Sequence, residues 1–170
     1  MPTPLPPLKP LSKDGIASAL DKAERYRLLN EPSQAESICL DILEIDGENQ
    51  KALVLLLLAI TDGFSEGAAG GVARAMAVLP RISGPYNRAY YEGIIHERQA
   101  RAIVARGSLG AGYGAHAALI QAMACFERAE GLRPAGNDDS ILRYNACIRL
   151  MASTPSIREA PKDDPSDLTE

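Results

Sequence analysis

Glu92 and His96 stand four residues apart in the run Tyr91-Glu92-Gly93-Ile94-Ile95-His96. On a helix that spacing puts both side chains on one face. A carboxylate and an imidazole so placed can share a metal ion with a donor from a neighbouring helix. His116, the second of the two histidines, is the donor the sequence offers. A metal-binding or enzymatic helical protein centred on Glu92, His96 and His116 is therefore one reading. The plainer one is a solvent-facing Glu–His pair on a helix surface. No paired Glu-x-x-His set accompanies these residues, so no metal, no other cofactor and no catalytic residue is expected.

Other reactive groups give less. Cys39, Cys125 and Cys147 form no Cys-x-x-Cys pair, and an odd number argues against a disulfide framework. Each falls in an apolar helical register, which suits a buried small hydrophobe in a reducing compartment. The run 107–114, GSLGAGYG, invites a phosphate-binding reading. It follows a helix instead of a strand, lacks Gly-Lys-Ser/Thr, and has neither nucleotide-loop spacing, so a flexible connection is expected. Ser108 has no matching base.

Composition bounds the rest. The chain has 170 residues, 46% of them hydrophobic and only 5% aromatic, with no Trp. Alanine and leucine with few aromatics suit close-packed helices. The length suits one domain, expected over 12–151. A net charge of −4 gives no reason to expect nucleic acid. The longest apolar run, 52–60, is about half of what crosses a bilayer, so no membrane association is expected. The start carries no basic segment followed by an apolar core, so no signal peptide is read, and a cytoplasmic location is expected. Residues 1–11 read as an extended Pro-rich tail. Its Pro4-Leu5-Pro6-Pro7-Leu8-Lys9 resembles an SH3 ligand. Residues 152–170 read as a disordered acidic tail.

Between the tails the periodicity predicts about seven helices. Ile16, Ala19, Leu20, Ala23 and Tyr26 stripe the first, over 13–29, with Ser12 as its cap. Pro32 suits the first turn of the second, whose stripe is Ala35, Ile38, Cys39 and Ile42. Gly47 is expected to take a left-handed conformation after it, and Asn49 to cap a third helix ending at 62. That third helix is apolar nearly all round, as in an element covered on several sides. The fourth is expected over 68–79, the fifth over 85–106, the sixth over 115–130, and the seventh from an Asn137 cap to 151.

Residues 16–49 span the 34 positions of a tetratricopeptide repeat, and they resemble one. Ala23 matches the small residue where the two helices cross, Tyr26 the aromatic, and Ala35 the small residue of the second helix. The closing run 43–49 is similar to the family's, with Gly47 in place of proline. Ala19 stands where tryptophan is usual, and Cys39 where phenylalanine is. Ala69 falls 34 residues after Ala35 in a second unit over 50–83. In a third, Gly93 sits at the crossing position and Ala122, Phe126 and Pro134 have the family spacing. The resemblance implies an all-α fold of antiparallel helix pairs stacked in a right-handed superhelix, three pairs plus a capping helix.

It also implies a non-enzymatic protein–protein interaction module, an adaptor or chaperone-like scaffold that holds a protein or peptide segment in a concave groove lined by first helices. The candidate contacts are Glu24 and Arg27 in the first unit, and Lys51 and Asp62 in the second. In the third they are Asn87, Tyr90, Ile94, Glu97, Arg98 and Arg101, with Tyr144 from the closing helix. An aromatic beside an arginine is the composition of an interface anchor. Some family members grip a terminal carboxylate with lysine and asparagine. Here Leu20 and Glu24 occupy that face, so that activity is not expected.

Overall fold

A computed structural model describes residues 5–67 and 70–161. Ala69, and parts of both expected tails (1–4 and 162–170), lie outside the described residues. Within them the protein is all-α, with seven α-helices whose neighbours pack antiparallel. The chain divides into two compact units, Met1–Arg88 and Ala89–Glu170.

The first unit holds α1 (Ile16–Leu28), α2 (Pro32–Ile45), α3 (Gln50–Asp62) and α4 (Gly71–Val78). A short 3-10 turn, Lys13–Gly15, precedes α1. It is held by the Ser12 carbonyl accepting from Gly15 N–H, and the Ser12 hydroxyl makes no capping bond. Between α1 and α2 the chain reverses at Asn30, which takes φ 59°. Asparagine tolerates that left-handed region better than most side chains, and Pro32 then starts α2 with no N–H to satisfy. Gly47, expected to be left-handed, has no positive φ. The chain leaves α2 through Asp46, whose φ of −133° and ψ of 81° lie outside the helical region. Asn49 does cap α3, its Oδ1 accepting from Ala52 N–H at 3.0 Å.

Packing explains why α3 is oily on most sides. It touches α1, α2 and α4, and Leu53, Leu56, Leu57 and Ile60 are all buried. Ala23 and Ala35 are fully buried, which lets helix axes approach closely. Polar links join α1 to α3 and α2 to α4. Arg27 Nε donates to Asp62 Oδ2 at 2.7 Å, and Arg74 pairs with Glu36. Arg81 Nη2 donates to the Gly47 carbonyl at 2.6 Å, and Gln50 bonds both Arg81 and Ser83. The α4 helix stops at Val78, before a 3-10 turn at Leu79–Arg81 that contains Pro80.

α5 (Pro85–Arg106) begins in the first unit and forms most of its length in the second, with α6 (Ala111–Glu130) and α7 (Asp139–Ser153). Gly93 on α5 meets the fully buried ring of Phe126 on α6. α6 begins four residues before the expected start. Gly110, at φ 76°, turns the chain into it, and Gly112 and Gly114 belong to the helix. The Asn137 side chain accepts from Asp139 N–H at 3.0 Å at the start of α7. Where a tail is expected from 152, α7 continues through Ser153 and Ile157 is buried. No described helix is long and apolar enough to cross a membrane.

Candidate functional site

α5 carries most of the polar chemistry of the second unit. The close Gly93–Phe126 contact fixes which of its side chains look at α6. Tyr90 packs on the same ring, its centroid 5.9 Å from Phe126 and 5.2 Å from Tyr91 in an edge-on pair.

One turn beyond Gly93 lies Glu97, expected to face outward as a contact. It is 1% exposed. Its Oε1 takes Arg101 Nη2 at 3.1 Å and Arg143 Nη1 from α7 at 3.5 Å, while Oε2 is buried without a hydrogen bond. Two half-exposed guanidiniums thus share one buried carboxylate. Burial works against the charge on Arg143, but the Tyr90 hydroxyl and Glu97 outweigh it and raise its pKa. Arg143 of α7 is the member absent from the contacts expected from sequence. Its signal was present: an arginine beside the apolar stripe of α7 can reach inward with its head while its stem packs.

The other candidate contacts fall as follows. In the first unit Glu24 and Lys51 are exposed, and Arg27 and Asp62 pair with each other. Asn87 is exposed and donates to the Ser83 carbonyl at 2.9 Å. In the second unit Ile94 is buried, Arg101 is exposed, and Tyr90, Arg98 and Tyr144 are half-buried. The structure therefore brings Tyr90, Glu97 and Arg101 together through Arg143.

A second cluster lies one turn earlier. Glu92 and His96 share a face of α5, as the spacing predicts, but the third donor beside them is Cys125 of α6, not His116. Register explains the difference. Phe126 lies opposite Gly93, so its neighbour Cys125 is opposite Glu92 and His96. His116 is nine residues before Cys125, about 13 Å along the axis at about 1.5 Å per residue. Arg128 covers the cluster, with Nη2 2.5 Å from Glu92 Oε2 and 3.6 Å from Cys125 Sγ.

The cysteines are all buried and unbridged. Burial pushes the Cys39 thiol up to about 11 and the Cys147 thiol up to about 12, in the latter case with help from Glu97. Burial and Glu92 also raise Cys125. A thiol held protonated is a poor nucleophile. Around the start of α6 an open 580 Å³ cavity is lined by Val104, Gly107, Leu109, Tyr113, Ser156 and Arg158, among others. The Arg158 guanidinium lies 5.7 Å from the Tyr113 ring centre. No known protein family, curated protein or solved structure gives a significant match to this chain.

Proposed function

We propose that this protein is a non-enzymatic interaction module of tetratricopeptide-like helix pairs. In this reading the pairs form a right-handed superhelix whose first helices present a concave surface to a protein or peptide segment. One observation carries it. In the first unit, equivalent helices of successive pairs are tied to one another: Arg27 of α1 to Asp62 of α3, 35 residues on, and Glu36 of α2 to Arg74 of α4, 38 residues on. Links at close to the 34-residue repeat length are what stacked copies of one hairpin produce.

Tyr90, Arg98 and Arg101 on α5 supply an aromatic and two cations, the residue types that anchor interfaces. Cys39 and Cys147, whose thiols burial pushes well above the usual range, are poor nucleophiles, which favours holding over converting.

The experiment is affinity capture on the full chain, with wild type compared against Tyr90→Ala and Arg98→Ala, each checked for retained helicity. A partner captured by wild type and lost from both variants is the expected result. Capture of every partner unchanged by either substitution rejects this surface.

A further inference from the structure

Two helices of the second unit bring three kinds of donor to one point. Glu92 and His96 lie one turn apart on α5, and Cys125 faces them from α6. One ligand atom from each lies within 4.8 Å of the other two. The approach is set by Gly93, whose missing side chain lets α5 close on the ring of Phe126.

We propose that Glu92, His96 and Cys125 form a binding site for a borderline-soft divalent cation of the zinc class, clamped between α5 and α6.

The donor set selects the ion. Thiolate, imidazole and carboxylate together suit zinc, whereas calcium and magnesium want oxygen alone. Bonds of about 2.0–2.3 Å in a tetrahedron put ligand atoms roughly 3–4 Å apart, so the three donors need close in by only about 1 Å. His96 brings a second observation. Its Nδ1 is buried and makes no hydrogen bond, and a buried nitrogen with no partner is uncommon enough to need a reason. Cys125 closes the site from the core side, while Glu92 and His96 are half-buried and give an ion a way in.

The protein already places a cation there. Arg128, about half exposed, sits on Glu92 and on the Cys125 sulfur. An arriving ion sends that guanidinium to solvent, and Cys125 gives its thiol proton to water as the metal–sulfur bond forms. Charge is conserved. Glu92 and Arg128 cancel before binding, and the two anionic ligands cancel the dication after it. Three protein ligands leave the fourth position to water.

Titration of the metal-free full chain with Co²⁺ tests this, since a thiolate–cobalt bond gives a near-ultraviolet charge-transfer band. The expected result is a band that saturates at one ion per chain and is erased by Zn²⁺. Cys125→Ser abolishes it. Glu92→Gln and His96→Gln each weaken binding by at least the roughly 10–100-fold that losing even an outer partner of a metal site costs. Arg128→Gln keeps all three donors, removes the competing cation and tightens binding. No band in wild type overturns the site, as does a band surviving Cys125→Ser, or weaker binding in Arg128→Gln. If Cys125→Ser does not fold, the Glu92→Gln and His96→Gln pair decides alone, and unchanged affinity in both overturns the proposal.

Discussion

A Cβ placed on Gly93 would lie 2.5 Å from Cε1 of Phe126, well inside contact distance. Phe126 is fully buried and has no room to retreat. Two effects of a Gly93→Ala substitution oppose each other. Alanine gains about 1 kcal/mol over glycine in a helix interior, while overpacking a filled core costs about 1–3 kcal/mol. A clash this deep with a ring held on all sides puts the cost near the upper end. Net destabilisation of about 1–2 kcal/mol is expected by denaturant unfolding. Adding Phe126→Leu should recover part of it, because the smaller side chain vacates the space. Additive losses would show that the two residues do not oppose each other.

Gly112 makes a second close approach, to backbone instead of a ring. A Cβ there would meet the Ser156 carbonyl oxygen at 1.7 Å. A carbonyl cannot rotate away, so Gly112→Ala should lift the segment around Ile157 from α6. Faster amide exchange over 154–161, with α7 unaffected, is the expected result. The loss should not exceed the roughly 1.5–3 kcal/mol that burying one large aliphatic side chain contributes.

The Arg27–Asp62 pair is about four-fifths buried on each side. Partial exposure keeps its contribution modest, about 0.5–1 kcal/mol in a double-mutant cycle of Arg27→Ala and Asp62→Ala. The Glu97 cluster should behave differently. Arg143→Ala leaves Arg101 still bonded to the carboxylate, whereas removing both arginines leaves it buried without a partner. The double variant should lose more than the sum of the singles, since an uncompensated buried charge costs several kcal/mol.

Alkaline stability follows from the thiols. Cys39 is pushed up to about 11 and Cys147 to about 12 from an ordinary value of 9.0. Above pH 9 the unfolded chain has released these protons while the folded chain keeps them. Unfolding then releases protons, so stability falls as pH rises between about 9 and 12, by up to about 1.4 kcal/mol per pH unit for each thiol. Below that window the two thiols contribute no slope. Denaturant midpoints from pH 8 to 11 should fall less steeply in Cys39→Ala and Cys147→Ala than in wild type. Identical slopes would show that these groups do not titrate with folding.

Much of the local structure was legible because it depends on local rules. Pro32 starts α2, Asn49 caps α3, and α5 runs from Pro85 to Arg106 as its periodicity predicts. The glycine run was misleading because a glycine's role is set by what comes near it. Gly112 sits in a helix with the C-terminal segment against it, so its small size serves packing instead of bending. The donor cluster was half legible. Spacing along α5 paired Glu92 with His96, but which residue of α6 faces them depends on inter-helix register, and that is fixed by Gly93 against Phe126. Glu97 was misplaced for a related reason. It looks solvent-facing on its own helix, and its burial beside Arg143 depends on the meeting of α5 and α7.

The connection between α5 and α6 has a practical consequence. Leu109 stands fully out at its tip, between glycines 107 and 110 in left-handed conformations. An exposed tip of this kind is where proteolytic nicking concentrates, and the turn is closed locally, by the Ser108 carbonyl accepting from Ala111 N–H. Nicked at this point, the two pieces should stay together through the packing of Gly93 and Tyr90 on Phe126, which makes the tip the natural place to open the chain or lengthen it.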